Sequence, residues 1–148
     1  HVTYIKRKQI QQKLQINIER VQGAKSDSGT TYVLFLPTNE IHELGLMYIH
    51  FELLLKGYKS IYLGPSVPTE NLLELKKVFN DISFISYLTV APAIDTVEEY
   101  LSDFAQTIIN QESERLHIIG RNTKELKKES ISPNIIVHNE IKDLLKSV

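Results

Sequence analysis

The sequence predicts an α/β fold, a five-stranded parallel sheet wound on both faces by helices. Three observations predict it. From Thr31 onward, short β-branched or aromatic runs alternate with longer amphipathic stretches, as βαβ units require. Lys56-Gly57-Tyr58 places a glycine where the first crossover helix should stop, and Pro68-Thr69-Glu70 has the composition of a helix start. With 148 residues, 42% apolar and 24% charged, the chain is long enough for one substantial core and ordinary in composition.

The elements follow in order. Val2, Ile5, Ile10, Leu14, Ile18 and Val21 recur at helical spacings over residues 2–22, which predicts an amphipathic helix with Lys6, Arg7 and Lys8 on a solvated face. His1 enters this pattern without a cap, so the chain reads as a piece of a longer one or as carrying a leftover first residue. The expected division is 1–23 for the helix, 24–30 for a small polar linker and 31–148 for the α/β domain. Strands are expected at Tyr32–Leu36, Ser60–Leu63, Ile82–Tyr87, Leu116–Ile119 and Ile135–Val137. Helices are expected at Leu44–Lys56, Thr69–Asn80, Thr96–Asn110, Thr123–Lys128 and Glu140–Lys146. Strict alternation of five strands with five helices is the flavodoxin-like, doubly wound pattern.

Bulk properties exclude several function classes. A formal net charge of -1 argues against this piece gripping nucleic acid by itself. The absence of cysteine excludes disulfides, thiolate metal sites and a cysteine nucleophile, and fits a cytoplasmic location. No apolar run approaches the roughly 20 residues of a membrane span.

Ligands of doubly wound sheets bind at the carboxyl ends of the strands, so the loops after the first, third and fourth strands converge there. They begin at Pro37, Tyr87 and Gly120. The first contains no Gly-x-Gly-x-x-Gly turn for a dinucleotide, and no Walker-type loop occurs. The third strand ends Ser86-Tyr87-Leu88, without the aspartate of a phosphorylated receiver or the flanking glycines of a serine nucleophile. Thr38 and Asn39 are too few hydroxyl and amide groups for a flavin phosphate loop. The first loop instead carries Glu40-x-His42-x-x-Gly45, an imidazole between a carboxylate and a glycine. Asn39 as cap with Glu40 and Glu43 as first-turn acids would explain the acids alone. Gly45 asks for a further reason, because glycine inside a helix costs about 1 kcal/mol against alanine. His50, His117 and His138 show no partner spacing and are expected to be structural or exposed.

Glu40-x-His42-x-x-Gly45, forty intervening residues and then Ser86-Tyr87-Leu88 resemble the Asp-x-His-x-x-Gly and Ser-x-Leu motifs of cobalamin-binding domains. The resemblance covers residues 31 to about 148. Pro37 through Gly45, followed by Tyr62-Leu63-Gly64-Pro65-Ser66-Val67-Pro68, is similar to the C-terminal sensor half of MerR-type transcriptional regulators that use cobalamin. The chain departs from the pattern at Gly120-Arg121, where the family has Gly-Gly.

This resemblance implies a cofactor, adenosylcobalamin or methylcobalamin, with His42 as lower ligand to cobalt and Glu40, or secondarily Glu43, orienting the imidazole. It implies that the displaced dimethylbenzimidazole tail lies beside Ser86, Leu88 and Gly120, with Gly45 and Gly120 leaving room for it. It further implies that residues 1–23 are the last helix of a helical bundle and that the domain is not itself catalytic. A homo-oligomer binding DNA through another, N-terminal domain is the expected assembly, with no membrane. A corrinoid-carrying subunit of a methyltransferase or mutase, or a degenerate domain binding no cofactor, are the alternatives.

Overall fold

The computed structural model describes residues 3–21 and 29–148. Helix α1 spans Tyr4–Val21, and most of the linker expected at 24–30 lies outside the described residues. The sheet comprises β1 (Thr31–Pro37), β2 (Lys59–Val67), β3 (Ile82–Tyr87), β4 (Arg115–Ile119) and β5 (Ile135–Val137), all parallel, in the order β2-β1-β3-β4-β5. This is the doubly wound order, as expected. Helices α2 (Leu44–Leu55), α3 (Thr69–Lys76), α4 (Val97–Thr107) and α5 (Ile141–Ser147) complete it.

Two cores explain why the sheet is central. Every residue of β1 is buried, which accounts for its uninterrupted apolar run between two covered faces. On one face Val33, Phe35, Phe84 and Leu116 meet Leu72 of α3 and Leu101 and Phe104 of α4, with the Phe35 and Phe104 rings stacked at 5.8 Å. On the other, Leu34, Leu36, Ile85 and Ile119 meet Leu46, Ile49 and Leu53 of α2 and Leu144 of α5.

Several expectations are corrected. Thr123–Lys128 is not an α-helix; short 3-10 turns occupy Arg121–Thr123 and Lys128–Ser130. The Thr123 hydroxyl competes for the backbone by donating to Gly120 O, and the Asn122 side-chain amide is drawn to Pro92 O in the loop after β3. Strand β2 runs four residues past Leu63, through Gly64 and Pro65, because it is an edge strand and its register against β1 slips there. In α1 the packed stripe is Gln11, Leu14, Asn17 and Ile18, whereas Ile5, Ile10 and Ile16 are exposed. That stripe lies against α2. Helices α3 and α4 also stop short, at Lys76 and Thr107.

The α2/α5 side of the sheet buries three histidines. His50 Nδ1 lies 2.7 Å from the Ser60 hydroxyl, and His117 Nδ1 lies 2.9 Å from His138 Nε2, their rings nearly parallel. Burial pushes His50 down to about 4, and burial followed by the neighbouring His138 and Arg115 pushes His117 to about 4. His138 is lowered as well, chiefly by burial. Folded values below the ordinary 6.5 mean that the unfolded chain takes up protons first as pH falls. Stability should therefore be full above pH 6.5 and decline toward pH 4, by up to about 1.4 kcal/mol per pH unit for each histidine. Urea midpoints at pH 7 and 4.5 check this, and His50→Leu should flatten the slope.

Candidate functional site

The strand order reverses between β1 and β3, and the loops leaving these strands meet at the crevice where such sheets hold ligands. A single residue ties them. Glu40, fully buried in the loop after β1, accepts hydrogen bonds through Oε1 from the amides of Thr89 (2.9 Å) and Val90 (3.2 Å) beyond β3. Its own amide donates to Pro37 O, and its carbonyl accepts from the Ser66 amide at the end of β2. Asn39, at φ 71°, gives the chain the sharp turn this needs and donates its amide to the Ser66 hydroxyl.

Glu40 Oε2 is buried and without a hydrogen-bond partner among the described residues. It stands 3.5 Å from His42 Nδ1. A buried carboxylate oxygen left over in this way is costly unless it serves the imidazole beside it. Being an acceptor only, it favours the tautomer with the proton on Nδ1, which leaves Nε2 with a free lone pair. The His42 side chain is 43% exposed.

His42 borders a cavity of about 480 Å³. Ile41, Glu43, Leu44, Gly45, Tyr87 and Thr89 line it from the sheet edge, and Tyr4, Arg7, Lys8 and Gln11 of α1 line it from above. Arg7 and Lys8 thus border the cavity rather than only a solvated face. Nothing in their sequence context signals this, because the packing of α1 on α2 decides it. Glu43, the second candidate for orienting the imidazole, is engaged elsewhere: its Oε1 accepts a 2.7 Å hydrogen bond from the Tyr62 hydroxyl.

The remaining predicted positions are near the cavity but do not line it. Ser86 is buried and donates its hydroxyl to Phe35 O on the neighbouring strand at 2.7 Å. Leu88 is fully buried in the core on the α3/α4 face. Gly120 has φ 123°, and a Cβ there would strike Leu88 O and stand 2.8 Å from Leu88 C and N. The room it leaves is therefore taken by main chain. Gly45 is different, since a Cβ there would stand 2.6 Å from the ring of Tyr87, on the α2/α5 face. Tyr87 is the residue the sequence reading missed. The available signal is the strand period, which sends Tyr87 to the opposite face from Ser86 and Leu88.

Among the described residues, no group of three or more histidines, cysteines or carboxylates stands close enough to hold a metal ion. A lone imidazole with a carboxylate behind it suits a metal whose other donors come from elsewhere, as in a macrocycle. The loop fits that role. The room expected beside Gly45 for a cofactor's tail does not stand open, because the Tyr87 ring fills it. No helix among the described residues is long and apolar enough to cross a membrane.

Fold and crevice together define a doubly wound α/β domain with its ligand edge at the β1/β3 switch point. No protein-family model matches the chain, and no curated protein does. Solved structures share the fold. The chain is similar to the monomethylamine corrinoid protein of Methanosarcina barkeri, with TM-score 0.69 and 14% identity over 90% of this chain and 63% of that one. It is similar to the methanol:cobalamin methyltransferase complex of the same organism, with TM-score 0.64 and 17% identity over 86% of this chain and 48% of that one. A cobalamin-binding protein from Desulfitobacterium hafniense aligns with TM-score 0.58 and 14% identity over 80% of this chain and 60% of that one. The chain thus spans about half to three fifths of the length of these structures.

Proposed function

We propose that this chain is a corrinoid-binding domain in which His42 is the lower axial ligand to cobalt. The observation that carries the reading is the pair formed by the buried, unpartnered Glu40 oxygen and the accessible His42 imidazole beside a cavity. When bound, a corrinoid would supply a cobalt that needs only one donor from the protein, which the His42 imidazole would give. The names of the similar structures, a corrinoid protein and cobalamin proteins among them, support the same ligand class.

The domain acts in this reading as a non-catalytic sensor of a MerR-type regulator, its bound corrinoid controlling oligomerisation and DNA binding through another domain. The run Pro37–Gly45 with Tyr62–Pro68 supports it. A second reading, a corrinoid-carrying subunit of a methyltransferase, is favoured by the names of the two Methanosarcina structures. A winged-helix segment encoded upstream would decide for the regulator.

The test is electron paramagnetic resonance of the cobalt(II) corrinoid bound to protein labelled with nitrogen-15 histidine. Ligation by the protein should split the cobalt lines into doublets, where the cofactor's own unlabelled base gives triplets. His42→Ala should lose the doublet. Doublets that persist in His42→Ala would place the ligand elsewhere.

A further inference from the structure

The slot beside Gly45 carries an inference that rests on the corrinoid reading and goes beyond it. A cobalt bound to His42 must release the base that a complete cobalamin carries on its lower face, and a released aromatic base needs housing. In this fold the room between the first turn of α2 and the end of β3 is where Gly45 has no side chain. That room is not vacant. The ring of Tyr87 fits it so closely that the Cε2, Cζ and Cδ2 atoms would stand 2.6, 3.0 and 3.1 Å from a Cβ at position 45. The other glycine of the expected tail path is closed too, by the Leu88 main chain at Gly120.

We propose that Tyr87 is a specificity-determining residue whose ring takes the place of the nucleotide base, so that the domain prefers corrinoids lacking that base. The phenol occupies the slot as part of the chain, in advance of any ligand. It packs against the core shared by α2 and α5, so moving it exposes apolar surface of that core. Its hydroxyl has no hydrogen-bond partner among the described residues, which leaves the ring itself as the obstacle. The His42 loop, meanwhile, owes nothing to the slot: Glu40 is fixed by Thr89, Val90 and Ser66. Ligation of cobalt and housing of the base are therefore separable here. A corrinoid such as cobinamide, which ends before the nucleotide, meets the first requirement and makes no demand on the second.

The experiment compares visible-spectrum titrations with aquocobinamide and aquocobalamin for wild type, Tyr87→Val, Tyr87→Ala and Tyr87→Phe. Wild type should bind cobinamide at least about tenfold more tightly, a difference of about 1.4 kcal/mol. Part of that difference is the cost of detaching the base from cobalt, which wild type and variants share, so the change in ratio isolates Tyr87. Tyr87→Val and Tyr87→Ala should gain about tenfold for cobalamin while holding cobinamide within about threefold. Tyr87→Phe should behave as wild type. Cobinamide binding by the small variants also reports that they are folded; Val keeps the strand preference should Ala lose it. Equal wild-type affinities, or a ratio unmoved in a variant that still binds cobinamide, overturn the role of Tyr87 and leave the corrinoid reading standing. A wild type that binds neither ligand overturns both.

Discussion

Replacing Gly120 by alanine should cost about 4 kcal/mol of folding stability, seen as a large fall in the urea midpoint at unchanged slope. Two effects combine. At φ 123° and ψ 169° the residue occupies backbone space that is almost closed to side chains. The added methyl would also meet the carbonyl, carbon and amide of Leu88, which are main chain and cannot rotate aside. That main chain is itself committed, since the Leu88 amide donates to Ile119 O at 2.8 Å and its carbonyl accepts from the Asn122 amide at 3.0 Å. Gly57 is the comparison within the same molecule. It has φ 82°, but nothing lies within 4 Å of where its Cβ would be. Gly57→Ala should therefore show conformational strain alone, about 1 to 2 kcal/mol. Equal costs at the two glycines would mean that the approach of Leu88 does not matter.

Glu40 should separate folding from ligand binding. In Glu40→Ala the amides of Thr89 and Val90 lose their acceptor, at a cost of about 2 to 4 kcal/mol. Glu40→Gln keeps one carbonyl oxygen for those amides and should cost only about 1 kcal/mol. What glutamine changes is the group facing His42. Its amide nitrogen donates toward Nδ1, which moves the imidazole proton to Nε2 and removes the lone pair offered to a metal. Corrinoid affinity should fall roughly 10- to 100-fold in Glu40→Gln with the fold intact. Urea unfolding and cobinamide titration measure the two effects separately. Wild-type affinity in Glu40→Gln would show that the carboxylate serves the loop alone.

The strand positions were legible because each strand is a short apolar run and each glycine or proline boundary has a local cause. Lys56-Gly57 marks the end of α2 within a residue, since Gly57 needs φ 82° there. The crossover at 123–128 was not legible, because the bond from the Asn122 side chain to Pro92 depends on where the loop after β3 arrives. The same limit applies to the site. Glu40 and His42 are neighbours in sequence and their pairing could be expected, as could the need for a small residue at Gly45. Which ring fills the space beside Gly45 depends on the spacing of α2 and β3, which no local pattern encodes. The His50–Ser60 and His117–His138 partners are likewise made by elements that meet only after folding.

The fastening of residue 40 to Pro37, Ser66, Thr89 and Val90 also bears on the kinetics of association. A loop fixed to three strand ends loses little freedom when a ligand arrives, because its torsions were settled when the chain folded. Encounter then needs only the right approach angle, with no ordering step of the backbone in between. The lifetime of the complex, rather than the speed of its formation, is where changes around His42 should register.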